Sequence, residues 1–468
     1  MARAIVIGGS IAGMCAARVL CDFFDEVVLL DRDRYPAEPA GRAGVPQSRH
    51  AHALLARGQQ ELATLFPGFV DAMVGAGALM FDAGTGFAMR RKYGWQAVGD
   101  NGIQTLWSSR DLLEFTVRTL LRRQTKVVCH EGAHVTGLVG SAPQAGAAQR
   151  AAQVTGARVR TEGSGEQALH ADLVVDASGR NTRIETWLAE LHVPAPEVQR
   201  VDARAGYASR FYKPPPPERR PREWWWKGLW VEWQPDVPRG GVIFPIEGDR
   251  WLVTAAGAGG DYPPTDEPGF LAFLGTLSSP AVARALALAE PISPIAGNRS
   301  MANVFRRYDR LLAELHGFVA LGDAVCAFNP IYGQGMSSAA ACSAVLRDVL
   351  RERGPRGFER AFFTRQAAFL SEVWNLATGA DFQWPTTEGE RPRTPPGIPT
   401  YLELALRGAH EDPAMRRHLS PLFNLTDSMK LFFEPRFAAS VLLHATREHV
   451  RKRVLGPRAI PELPPALA

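Results

Sequence analysis

Five cysteines occur in 468 residues, and none forms a C-x-x-C pair or a zinc-like spacing. A redox dithiol and a structural zinc site are therefore not expected. Cys15, Cys21, Cys129, Cys326 and Cys342 read as small buried hydrophobes in a reducing compartment. No uninterrupted apolar run reaches the roughly 18 residues that a spanning helix needs. The start, Met-Ala-Arg-Ala-Ile-Val-Ile-Gly, runs straight into a strand and a turn, so no leader is read there and a cytoplasmic protein is expected. There is no internal repeat. No basic block is long enough to argue for nucleic acid, and the net charge of +5 suits an anionic small cofactor instead.

What is present is ordinary in bulk: 46% apolar and 22% charged residues, over a length that calls for two or three domains. The information lies in three separated stretches. Ala4–Ile7 is a buried-strand pattern, followed by Gly8-Gly9-Ser10-Ile11-Ala12-Gly13 and a small-residue helix. This fits G-x-G-x-x-G with serine in the second glycine position. Gly8 permits the tight turn, Gly13 lets helix and strand pack closely, and the helix start offers free N–H groups to a pyrophosphate. Asp31, with Arg32 beside it, ends the next strand and stands where an acid should accept from an adenosine ribose. Ser10 departs from the pattern, because its Cβ should hold a phosphate slightly farther off.

A nicotinamide-binding domain would need only this first motif. A second stretch, Asp172 to Arg180, is a buried strand ending at Asp176 and a small-residue turn. A third runs Gly317-Phe-Val-Ala-Leu-Gly322-Asp323-Ala, then Asn329-Pro330-Ile-Tyr-Gly333-Gln334-Gly335-Met336 and a small-faced helix. Asp323 lies at the carboxyl end of a strand, where open parallel sheets bind ligands, and suits a ribityl hydroxyl. The positive end of the following helix suits a flavin pyrimidine edge. FAD is therefore the expected cofactor, and Asp176 and Gly322 are counted with its binding residues.

These three stretches resemble the flavoprotein monooxygenases of the para-hydroxybenzoate hydroxylase type. With Arg42-Ala-Gly-Val-Pro-Gln47 and Arg49-His-Ala-His52 they are similar to the polyene epoxidases of polyether-antibiotic pathways, the monensin epoxidase type. The resemblance covers roughly residues 3–350. It implies that Arg42 and Arg110 contact the FAD phosphates or ribose, that Val135 passes the adenine by its backbone, and that Pro330 and Gly333–Met336 surround the isoalloxazine. It also implies O2 as co-substrate, NAD(P)H or a flavin- or ferredoxin-type reductase as electron donor, and epoxidation of an apolar polyene through a C4a-hydroperoxyflavin. Hydroxylation by the same chemistry and an FAD-dependent reductase or dehydrogenase of isoprenoid double bonds are the alternatives. A non-catalytic FAD-binding protein ranks below them. A flavin halogenase also ranks lower, because W-x-W-x-I-P is missing and Trp224-Trp-Trp226 runs into Lys-Gly. No catalytic acid or base is assigned, since transfer of an electrophilic oxygen needs chiefly a dry pocket.

The expected fold is α/β: a Rossmann-like, discontinuous FAD domain (1–197 and 298–355), an inserted antiparallel-sheet substrate domain (198–297) and C-terminal helices (356–468). Phe244–Ile246 and Trp251–Thr254 read as a hairpin. Trp224, Trp226, Trp230 and Phe244 are candidates for the pocket of an apolar substrate. Some tryptophans must face the core instead, since side chains alternate along a strand. His50-Ala-His52 has no third ligand near, so no metal is expected. Gly257-Ala-Gly259-Gly260 runs into Asp-Tyr-Pro-Pro and reads as a loop. Gly140–Ala152 reads as a mobile loop. Leu431–Val454 has apolar pairs at near-helical spacing and a basic end. Packing onto the body is its expected role, with membrane-surface contact the less favoured one.

Overall fold

A computed structural model describes residues 1–142, 151–163, 165–299, 301–456 and 458–466. Its centre is a five-stranded parallel sheet in the order Phe318–Ala320, Leu173–Asp176, Arg3–Ile7, Glu26–Asp31, Val127–Glu131. Four of the strands are short apolar runs buried on both faces, as parallel strands under helices must be, while the edge strand Val127–Glu131 is largely exposed. Register decides the function of this sheet. Ile7 lies opposite Asp176 and Leu30, and Asp176 lies opposite Ala320. The three motif-bearing turns therefore leave the sheet at one edge, although the chain visits them far apart.

The helices Ile11–Leu20 and Gly335–Arg353 pack against each other and the central strands. Ala12, Ala16, Ala17, Ala339, Ala340 and Ala344 allow that approach. The sequence Ser109-Arg110-Asp111 reads as a helix start, and Ser109 caps the helix Arg110–Leu121, its Oγ accepting from the Leu112 N–H at 3.1 Å. The helical pattern of the sequence runs from His52 to Phe66, and the helix starts later, at Ala56. The pattern over Val127–Gly137 reads as one strand, and it is two, broken at Gly132 with φ +68°. Strands Ala133–Ser141 and Ala151–Thr161 take up the ends of the stretch expected as a loop, and residues 143–150 lie outside the described ones.

The second sheet has eight strands. Gly206–Lys213, Arg250–Gly257, Arg239–Ile246 and Gly228–Val231 form its antiparallel middle. The hairpin expected at Glu247-Gly248-Asp249 is there, with positive φ at Gly248 and Asp249. Phe87–Arg91 joins the sheet parallel to Gly228–Val231, and Ala296–Asn298 adds to its other side. The second sheet thus draws on chain before 198 as well as after it. One face is covered by the helices Glu267–Gly275 and Ala281–Leu286 around Phe270, Leu274 and Val282. The tail crosses the same helix-covered side, with Leu463 packed there: Arg90 and Trp95 donate to the Pro461 carbonyl, and Trp225 donates to that of Pro465. Phe270 is wholly buried. Phe270→Ala should therefore cost about 3–5 kcal/mol, seen as a lower urea midpoint with intact parallel-sheet packing; an unchanged midpoint would remove Phe270 from the core of this layer.

Candidate functional site

The glycine turn is built to be bare. Gly8 has φ +100°, and a Cβ there would meet the Ala177 carbonyl oxygen at 2.4 Å. A Cβ on Gly13 would lie 1.7 Å from the Gly8 carbonyl oxygen. Gly9 donates its N–H to Asp31 Oδ2 at 2.9 Å, and the Tyr35 hydroxyl closes over it. Ser10 sits comfortably in place of the usual glycine because its φ is −94°, open to any residue. Its hydroxyl donates to Glu114 Oε2 at 3.0 Å and accepts from Arg110 Nη2 at 2.7 Å.

Those contacts belong to a buried charge cluster. Arg42 Nη1 reaches Asp31 Oδ2 at 3.0 Å and Asp33 Oδ2 at 2.7 Å, while its Nε reaches Glu114 Oε1 at 2.6 Å. Burial works against the Arg42 charge, yet Glu114 and Asp31 hold its pKa above the usual range. Burial likewise works to raise Glu114, but Arg110 and Arg42 hold its carboxyl below the ordinary value. The two arginines therefore differ. Arg42 is engaged by three carboxylates, whereas Arg110 keeps a buried Nε–H with no partner among the described residues. Glu114 escaped the sequence reading. Its signal was the i,i+4 spacing to Arg110 on one helix.

The second motif is internal. Asp176 Oδ1 accepts from the Ser178 N–H at 2.9 Å and Oδ2 from the Thr182 hydroxyl at 2.6 Å. Its carboxylate thus ties its own turn. The residue that reaches outward is Arg180, whose guanidinium donates to the carbonyls of Ala302 and Phe328. The third motif faces the first. Gly322, with φ +62°, packs against Ala12, where a Cβ would lie 2.7 Å from the Ala12 Cβ. Asp323 has no hydrogen-bond partner among the described residues, and its Oδ1 looks onto Gly335 at the start of the long helix. Burial pushes the Asp323 carboxyl up, opposed by Arg180 and Arg110. Gln334 Oε1 and Ser338 Oγ are buried there without partners as well. An unspent carboxylate, amide oxygen, hydroxyl and guanidinium N–H along one bare edge suit a phosphorylated polyol dinucleotide such as FAD. Arg32 lies with His134 and Arg160 beside the end of this edge. Val135 stands in the neighbouring sheet, paired with Val159. Met336 packs into the main core.

The loop Pro330–Tyr332 and Gly333, with φ +66°, rest against Ala53 and the second sheet. The four aromatic pocket candidates separate here. Trp224 and Trp226 cluster with Trp251, ring centroids 5.0 to 6.1 Å apart, on the helix-covered face. Trp230 and Phe244 lie on the other face, with Phe211, Val242, Met89, Ala51 and Ala53. Trp224 and Trp226 precede the strand Gly228–Val231, so the turn before it sets this division; along one strand their even spacing from Trp230 would put all three on one face. Phe244 leans on Trp107 at 4.9 Å, and Trp107 stacks on Phe81 at 4.7 Å. One polar chain crosses this apolar wall. His50 Nδ1 meets Ser209 Oγ at 2.8 Å, and Ser209 meets Thr254 Oγ1 at 2.7 Å. Burial lowers His50 to about 3 and His52 to about 4, so both rings are neutral near pH 7. No group of three or more metal-ligating side chains occurs among the described residues.

Behind the Pro330 loop lies Asp381. It accepts from the Tyr332 hydroxyl at 2.6 Å, Asn329 Nδ2 at 3.0 Å and Asn303 Nδ2 at 2.5 Å. Burial outweighs those donors and pushes its carboxyl from 3.8 to about 6. The folded state thus holds this proton more tightly than the unfolded chain. The contribution is full below pH 3.8 and is lost as pH rises towards about 6. Wild-type stability measured against Asp381→Asn should fall by about 3 kcal/mol across that window. Urea titrations at a series of pH values read it directly, and a flat difference would show that the carboxyl is not raised.

No family model matches the sequence. Solved structures align over almost the whole chain. The flavin-dependent brominase Bmp2 is 14% identical with a TM-score of 0.66, covering 96% of this chain and 98% of its own. A flavoprotein/dehydrogenase from Cytophaga hutchinsonii is 16% identical with a TM-score of 0.67, covering 96% and 99%. The p-nitrophenol 4-monooxygenase PnpA from Pseudomonas putida DLL-E4 is 15% identical with a TM-score of 0.64, covering 91% and 99%. At these identities the likeness is one of fold, the mixed α/β fold of FAD-dependent monooxygenases. A relative in sequence is Protein Rv3254 of Mycobacterium tuberculosis (strain ATCC 25618 / H37Rv), 32% identical over 450 residues that span 91% of this chain and 90% of that protein. Identity at that level over nearly the whole length of both chains makes this protein a member of the Rv3254 family.

Proposed function

We propose that this protein is an FAD-dependent monooxygenase that epoxidises an alkene in an apolar, polyketide- or terpenoid-like substrate. The observation that carries the reading is the unspent Asp323 carboxylate at the bare start of the Gly335–Arg353 helix, beside an aromatic wall on a second sheet. Bound FAD, reduced by NAD(P)H or by a flavin- or ferredoxin-type reductase, supplies activation of O2 and transfer of one of its oxygen atoms. The chain supplies binding, orientation and exclusion of water.

Asp31 accepts from the adenosine ribose with Arg32 nearby, and the Val135 backbone passes the adenine. The turn Gly8–Gly13 and Arg110 Nε–H meet the diphosphate, while Arg42 keeps the surrounding carboxylates neutralised. Asp323 accepts from a ribityl hydroxyl. Pro330 and Gly333, Gln334, Gly335 and Met336 border the isoalloxazine, with the positive helix end towards its pyrimidine edge. Trp230, Phe244 and their neighbours hold the substrate carbon close and keep the space dry. An alkene attacking an electrophilic oxygen needs no base, which agrees with an aromatic wall crossed by one neutral histidine chain. The likeness to polyene epoxidases of the monensin type in the Gly322–Ser338 stretch supports epoxidation over hydroxylation, and a role in antibiotic-type specialised metabolism.

Two measurements test this. Asp323→Ala should purify with little or no flavin absorbance, while Leu312→Ser at an exposed site keeps it; a fully yellow Asp323→Ala protein would displace the cofactor from this edge. With NAD(P)H, 18O2 and a panel of polyenes, the product should carry one labelled oxygen. A saturated product without label would instead make the protein a reductase of double bonds, and flavin that no donor reduces would make it a binding protein.

A further inference from the structure

The helix Pro435–Leu455 takes no part in the site above. It packs on the helices Ile398–Glu411 and Pro413–Phe423 through Phe437 and Val441. Its inward charges are spent within the protein. Glu448 is held by Arg407, Arg451 and Arg458, and His444 lies 3.3 Å from Glu411. The outward side is different. Leu442 is 62% exposed, Leu443 52%, Val450 54% and Val454 75%. Leu443, Val450 and Val454 are spaced by seven and four residues, so they form one stripe, with Leu442 beside it, Ala439 extending it and Thr446 within it. Core packing does not explain this stripe, because the apolar residues that pack inward are Phe437 and Val441.

Charge says what covers it. Arg436, Arg447 and Arg453 are exposed along the stripe and have no carboxylate partner among the described residues. The one acid in the helix, Glu448, is buried and already paired. A second copy of the chain, docked about a twofold axis, would set this basic strip against itself. A surface that is apolar beneath and anionic above meets both the leucines and the arginines. We propose that the outward face of Pro435–Leu455 docks the protein, lying flat, on a lipid bilayer bearing anionic headgroups. Leu442, Leu443, Val450 and Val454 enter the headgroup–acyl boundary, and the three arginines meet phosphate. No helix among the described residues is long and apolar enough to cross a membrane, so the contact is one of surface.

The test is flotation of the full-length protein with vesicles. Vesicles of phosphatidylcholine with about one-third phosphatidylglycerol should carry the protein up the gradient, and phosphatidylcholine alone should carry about tenfold less. Binding should weaken as salt rises. Leu442→Gln/Leu443→Gln/Val454→Gln and Arg447→Glu/Arg453→Glu should each lower partition about tenfold, with the wild-type near-ultraviolet circular dichroism and melting temperature showing that these surface variants are folded. The proposal falls if neither vesicle binds, if both bind equally, or if the folded variants float as well as wild type. It falls equally if sizing shows a dimer that the leucine changes dissociate, since a second copy then covers the stripe.

Discussion

The register of five parallel strands is the constraint on which the rest depends. Ile7, Asp176 and Ala320 end level with one another across three adjacent strands. Only that alignment brings the Gly8 turn, the Asp176–Arg180 turn and the Gly322–Asp323 turn to one edge. A parallel pair cannot be closed by a short hairpin, so long crossovers are unavoidable. The chain uses one of them to hold most of a second sheet, and another to supply its strands Phe87–Arg91 and Gly94–Trp95. The distance in sequence between the motifs and their closeness in space are thus two sides of the same topology.

Polarity is then distributed unevenly along that edge. At the end near Ser10, arginines and carboxylates neutralise one another in a buried network. Such a network is costly to desolvate and fixes geometry more than it adds stability. At the end near Asp323, polar groups are left without partners. Buried polar groups without partners are uncommon in a folded protein and costly to leave so. Asp381 and Arg180 serve between these ends, holding the Pro330 loop from behind by hydrogen bonds rather than by contact with the cleft.

The elements that follow local rules were legible in the sequence. Glycine turns, the Ser109 cap and the Glu247–Asp249 hairpin depend on neighbours in the chain, and the structure has them. The discontinuous α/β architecture followed from three motifs with recognisable order. What escaped was decided by tertiary packing. Phe87–Arg91 carries no sign that it will pair with Gly228–Val231, more than a hundred residues later. Alternation along a strand was expected to split the tryptophans, but Trp224 and Trp226 lie before the strand Gly228–Val231, and the turn there carries them to the helix-covered face. Asp381 and the His50–Ser209–Thr254 chain are paired across long separations, and no spacing announces such partners.

The strand order also sets a timetable for synthesis. A chain made from its N-terminus completes Arg3–Ile7, Glu26–Asp31, Val127–Glu131 and Leu173–Asp176 early, but the outer strand Phe318–Ala320 emerges only after the whole second sheet. Until then Leu173–Asp176 has an open edge, of the kind that recruits wrong partners. The nascent protein must therefore fold its second sheet while the first is still incomplete, and the Gly322–Asp323 turn joins the other two turns last.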